Sequence, residues 1–216
     1  PVLALLNLIL FYIFIKLNKK LMQMKNVFKF LGVLTLTALM SFSNIDKKII
    51  VIDVAHGGKD YGAVVNSFKE KEISLAIAKK IKELNKSADV EIVLTRDSDE
   101  FVSLSDRADF INKLNPHYVL SIHVNATTNQ DKKGMEIFVS DKNSHNENSE
   151  KFAQSLQNSF KNNDIAVKKA DFYLLKNVKA PINFLEVGFI TNDNDRAYIT
   201  SEAGQTEIAE TILNSI

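Results

Sequence analysis

The sequence predicts a single α/β domain, a mostly parallel twisted sheet with helices on both faces, preceded by an N-terminal apolar export segment. Three observations predict it. Short β-branched runs at Ile49 to Val54, Val90 to Thr95, Tyr118 to Ala126 and Pro181 to Gly188 have the length and composition of buried strands. Longer stretches with apolar residues at helical spacing separate them. Their alternation is the pattern of parallel strands joined by crossover helices.

In chain order, the first strand ends abruptly at His56-Gly57-Gly58, which places an imidazole on a turn that glycine permits. A loop follows through Lys69. Glu70 then opens a helix to Leu84, with Ile73, Ile77, Ile81 and Leu84 on one face, lysines opposite, and acids in the first turn to suit the helix dipole. After the second strand, Phe101 to Leu114 reads as a helix with Leu104, Ala108, Ile111 and Leu114 inward, ended by Pro116. The third strand carries His123 near its end. Gly134 to Val139 reads as a short fourth strand, Asp141 to Ser149 as loop, Glu150 to Lys161 as a helix on Phe152, Leu156 and Phe160, and Phe172 to Leu175 as a short strand. Pro181 to Gly188 is the last strand, with Glu186 standing out of an apolar run. Short helices at Asp193 to Thr200 and Gln205 to Ile216 close the chain.

Length and composition narrow the function. With 216 residues the chain can build one substantial core. It has no Cys, which excludes disulfides, thiolate metal sites, a Cys nucleophile and a lipoprotein anchor. The net charge of +1 hides an asymmetry: residues 1–43 carry five Lys and no acid, leaving 22 basic against 26 acidic residues in the body, a net of −4. A mildly acidic body argues against nucleic acid as a partner.

Residues 1–43 stand apart from residues 44–216. Met24-Lys25-Asn26-Val27-Phe28-Lys29, the apolar run Phe30 to Met40, and Ser41-Phe42-Ser43 have the order of a secretory signal peptide, with cleavage expected near Ser43. Residues 1–23 then read as upstream sequence rather than part of the natural product. The competing reading makes Val2 to Ile15 and Phe30 to Met40 two membrane segments around a basic loop, each short for a span. Both place the body outside the cytoplasm, in the periplasm or cell envelope, with membrane contact confined to residues 1–43.

Ligands of open α/β sheets bind beyond the carboxyl ends of the strands. His56, His123 and Glu186 all lie at or near such ends, and Glu70 begins the first helix. Two imidazoles and one carboxylate make a site for a hydrolytic zinc ion with an open position for water. The remaining carboxylate, kept off the metal, is a candidate general base.

The same residues carry a resemblance. Ile50 to Ala63, containing VIDVAHGGKDYGA, Glu70 to Ala76 (EKEISLA), Ser121 to Ala126 (SIHVNA) and Leu185 to Asn192 (LEVGFITN) match, in order, the motifs of the zinc-dependent N-acetylmuramoyl-L-alanine amidases of the Amidase_3 family, which are peptidoglycan hydrolases. LTRDSDEFVSLSDRADFIN and GMEIFV fit between them. The resemblance runs from about Lys48 to the C-terminus. It implies one Zn2+ held by His56, Glu70 and His123, and Glu186 as the catalytic carboxylate. Glu72 is the competing ligand for Glu70. One departure is visible: Val54-Ala55 stands where the family usually has Pro-Gly or Ala-Gly.

Glu186 has a competing reading as half of a buried salt bridge. Asp53 braces the turn or orients a ligand, Asn125 binds substrate or holds its loop, and the role of Glu136 is open. Arg107 is expected to be structural, paired with Asp97 or Asp99, and His117 and His145 are expected at the surface. The resemblance also implies a plug helix in some members, for which this chain has little room between His123 and Gly134, so an open site without a required activator is expected. The rival functions are another zinc peptidase of wall stem peptides and a non-catalytic wall-binding or amidase-regulating protein of the same fold.

Overall fold

The computed structural model describes residues 10–22, 24, 47–160 and 165–216. Two compact units are distinguished, residues 1–46 and 47–216. In the first, residues 10–22 form helix α1, with Leu10, Phe11 and Phe14 exposed. Residues 25–46, which include the expected signal-peptide run and cleavage point, lie outside the described residues. Among the described residues no helix is long and apolar enough to cross a membrane.

The second unit is built on a six-stranded sheet. Its strands are β1 (Lys48–Val54), β4 (Val90–Leu94), β5 (Tyr118–Asn125), β6 (Glu136–Val139), β7 (Ala166–Lys169) and β8 (Ile182–Phe189), in the order β4-β1-β5-β8-β6-β7. β1, β4, β5 and β8 are parallel neighbours, while β6 runs antiparallel to β8 and β7 follows β6. A small hairpin, β2 (Val64–Val65) with β3 (Phe68–Lys69), stands apart.

Strand alternation divides the core into two layers. Ile50, Ile52 and Val54 of β1 face a layer with α2 (Glu70–Leu84), α4 (Asn146–Ser159), α6 (Asp193–Thr200) and α7 (Glu202–Leu213). Ile49 and Val51 face the other layer, with α3 (Leu104–Leu114) and α5 (Tyr173–Asn177). In α2, Ile73, Ile77 and Ile81 are buried as their spacing predicts, each contributing about 1.5–3 kcal/mol by leaving water. The chain runs from β1 to β4 on one side and returns to β5 on the other. The carboxyl ends of β1 and β5 therefore form a topological switch point, where a crevice opens above the sheet.

Several expectations are corrected. Phe172 to Leu175 is not a strand: α5 begins at Tyr173, and Leu174, Leu175 and Val178 bury one side of it on the sheet. α4 begins at Asn146, inside the expected loop. α3 begins three residues later than expected because Ser103 caps it, accepting from the Asp106 amide, and Leu104 is exposed rather than inward. β7 and the β2–β3 hairpin have no apolar pattern to announce them; β7 is exposed along its whole length at the sheet edge.

Candidate metal centre

The turn after β1 presents the first imidazole. His56 is left-handed (φ 56°), and Gly57 (φ 125°) and Gly58 (φ 57°) continue the reversal. Ala55 is not in the left-handed region, so the departure from the family's glycine there introduces no backbone strain. A Cβ on Gly57 would collide with the Glu100 carbonyl.

Two buried arginines hold this turn. Arg96 donates to the carbonyls of Val54 (3.1 Å), Ala55 (2.6 Å) and Lys71 (2.9 Å). Arg107 donates to the carbonyls of Val102 (2.9 Å), His56 (2.6 Å) and Val54. Its ion-pair partner is Asp53 at 2.9 Å, which corrects the expected pairing with Asp97 or Asp99; Asp99 instead takes the buried Lys71 at 2.7 Å. Asp53 also accepts from Thr95 (2.9 Å) and Ser121 (2.6 Å). It thus braces the turn beneath the site. Burial alone would raise its pKa, but the Arg107 charge and the Ser121 hydrogen bond outweigh that and lower it.

Glu70 enters from the start of α2, and its carboxylate lies between the two imidazoles. Oε1 accepts from the Val124 amide at 3.0 Å and lies 2.9 Å from His123 Nδ1; Oε2 accepts from the Ala63 amide at 2.8 Å and lies 3.1 Å from His56 Nε2. Burial would raise the Glu70 pKa, but its hydrogen bonds to His123 and His56 reverse the direction and lower it. His56 experiences the reciprocal effect: burial acts to lower it, and Glu70, then Asp60, push it up to about 9. Glu72 is exposed and pairs with Lys69, so Glu70 is the carboxylate brought to the histidines. The His123 ring stacks on Phe184 (3.9 Å between centroids), which fixes its plane.

One ligand atom from each of His56, Glu70 and His123 lies within 4.8 Å of the others. Three donors converging this closely can hold a cation between them, and the two-imidazole, one-carboxylate set suits zinc. Asp60 strengthens the fit. Its Oδ2 lies 2.8 Å from His56 Nδ1, so an N–H there leaves the Nε2 lone pair free for a metal. Sequence reasoning missed Asp60 and Arg96. Asp60's signal was its place four residues after His56, on the same glycine turn.

Glu186 is the register partner of His123 on the neighbouring strand. It forms no salt bridge among the described residues, and its buried Oε2 has no hydrogen-bond partner there. Burial, with the charges of Glu70 and Glu136, pushes it up to about 8. Glu136, its partner across β6, is buried against Lys132, Lys168 and Asn125. His117 is exposed and His145 half-buried at the start of α4, both away from the strand ends that carry the site. A groove of about 760 Å³ reaches the site, with His56, His123, Phe101, Leu104, Tyr173 and Phe184 in its walls.

Comparison with known proteins gives this arrangement its family. Residues 50–216 match the Amidase_3 family model, described as N-acetylmuramoyl-L-alanine amidase. The chain belongs to that family. The uncharacterised protein YqiI of Bacillus subtilis is 34% identical over 176 residues, 80% of this chain and 84% of its own length. The crystal structure of N-acetylmuramoyl-L-alanine amidase from Clostridium difficile 630 superposes with a TM-score of 0.74 at 30% identity, covering 79% of this chain and 95% of that one. The CwlD amidase from Clostridioides difficile, solved in complex with the GerS lipoprotein, gives 0.72 at 30%, covering 78% and 96%. As a family member the chain carries the catalytic-domain fold, including its mostly parallel sheet with helices on both sides.

Proposed function

We propose that this chain is a zinc-dependent amidase that hydrolyses the amide between the lactyl carboxyl of N-acetylmuramic acid and the amino group of L-alanine in peptidoglycan. The observation that carries the reading is the convergence of His56, Glu70 and His123 next to a carboxylate, Glu186, with an unpartnered oxygen. Zinc would be held by His56, Glu70 and His123, where it supplies positive charge that polarises a carbonyl and makes water more acidic. Asp60 holds the His56 ring in the tautomer that leaves Nε2 free. Phe184 keeps the His123 ring in plane. Glu186 Oε2 takes the proton of the attacking water and returns it to the leaving amine nitrogen; its unpartnered oxygen beside His123 leaves it placed for both steps.

The body acts outside the cytoplasm, with residues 1–43 as a signal peptide or membrane segment and residues 44–216 as the catalytic domain. In this reading the site is open and needs no displacement by an activator. Digestion of purified peptidoglycan with and without a chelator tests the function. New lactyl carboxyl and L-alanine amine ends, lost with the chelator, are expected. Cleavage within the stem peptide would instead support a zinc peptidase. Unchanged hydrolysis by His123→Ala would refute the metal assignment.

A further inference from the structure

We infer that Lys132 and Lys168 form an anion subsite that binds a carboxylate of the stem peptide on the leaving-amine side of the scissile bond. The inference rests on the amidase reading above and adds the chemistry of the substrate's peptide half. His123, Glu186 and Glu136 occupy one register level on three neighbouring strands, and Glu136 therefore stands beside Glu186 on the same face of the sheet. Two ammonium groups converge on Glu136 Oε1: Lys168 Nζ at 2.6 Å and Lys132 Nζ at 3.2 Å. The pair thus brings two ammonium groups to the edge of the site, beside Glu186.

Both lysine side chains keep 42–45% of their surface exposed, while Glu136 is buried. Each ammonium has three donors and uses one on Glu136, leaving donors for an incoming anion. Their ammonium groups lie over aromatic rings, Lys132 over Phe189 (4.7 Å) and Lys168 over Phe138 (5.9 Å). The groove walled by Phe101, Leu104 and Tyr173 also reaches His123. An amide whose amine half is an acidic peptide would place that acid against the lysines. The reach also fits. From the scissile nitrogen to a carboxylate on the second peptide residue is about 7 Å, given Cα atoms 3.8 Å apart. Glu136 and β7 lie one and two strand spacings of about 4.8 Å from Glu186.

The test uses soluble muramyl peptides that differ at one group, the second residue bearing either a free α-carboxylate or the neutral carboxamide. The unmodified protein is expected to show a KM about tenfold lower for the carboxylate form. Lys168→Ala and Lys132→Ala are expected to raise that KM about tenfold while leaving the carboxamide's within about twofold; Lys168→Arg should retain the preference. Equal KM values for the two substrates in the unmodified protein would overturn the inference with no variant needed. So would equal losses on both substrates in the lysine variants, which would mark the pair as support for Glu136 alone. Turnover without release of a free lactyl carboxyl would overturn the amidase reading itself, a result that the KM comparison cannot mimic.

Discussion

Replacing Asp53 with Ala probes the support under the metal centre. Both Asp53 and Arg107 keep only 2–3% of their side-chain surface exposed, and their 2.9 Å ion pair is reinforced by Thr95 and Ser121. Removing one member of such a pair leaves an uncompensated buried charge, with a loss of about 3–5 kcal/mol. Arg107 keeps its bonds to the carbonyls of Val54, His56 and Val102, which share its charge and favour the lower end of that range. Urea unfolding at neutral pH, followed by circular dichroism, should therefore show about 3 kcal/mol lost, equivalent to roughly 6–12 °C in Tm for a domain of this size. Asp53→Ala with Arg107→Met should be less destabilised than the sum of the single changes, because no lone charge remains. The pH dependence has a definite sign. The folded pKa of Asp53 lies below its ordinary value of 3.8, so its contribution is complete above that value and fades as pH falls through the lower folded pKa. The gap between wild type and Asp53→Ala should hold down to about pH 4 and narrow below it. A loss under about 1 kcal/mol at neutral pH, or a gap indifferent to acid, would refute the account of Asp53 as the buried counter-charge of Arg107.

Other outcomes follow from single contacts. Gly62→Ala forces a side chain into φ +64° and sets its Cβ against the Glu70 carboxylate and 2.6 Å from His56 Cδ2; metal affinity by chelator competition should fall about tenfold or more, and unchanged affinity would contradict the geometry. Glu186→Gln should lower turnover about 10²–10⁴-fold while metal content and unfolding midpoint stay unchanged; near-normal turnover would remove Glu186 from the chemistry. Leu156→Ala empties a fully buried position and should cost about 2–5 kcal/mol in urea unfolding without altering metal content.

The elements legible in the sequence are those whose burial writes a period into the chain. β1, β5 and β8 are apolar because helices cover both faces, and α2 shows its isoleucines because one face is buried. The errors fall where that constraint is absent or ambiguous. β7 is exposed throughout and carries no pattern. Phe172-Tyr173-Leu174-Leu175 is aromatic and apolar enough for a strand, yet these residues lie outside the sheet, where Leu174 and Leu175 pack one side of α5 down onto it. At the site, ordered motifs named His56, Glu70, His123 and Glu186, because each follows or begins a recognisable element. They did not name the partner of Arg107, because Asp53 is 54 residues away along the chain and pairing at that distance leaves no local signal.

The class of fold, the family, and the side chains that bring metal-type chemistry to the strand ends are all written along the chain. The geometry among them comes from packing. It turned Glu70 rather than Glu72 between the imidazoles, locked His56 through Asp60 and Arg107, and set Glu186 beside His123 with one oxygen unpartnered. The division has a physical reason. Burial against a sheet acts on every second or fourth residue and so leaves a periodic trace in the chain. A hydrogen bond between β1 and α3, or a charge on β6 beside one on β8, depends on strand order and register, which no single segment encodes.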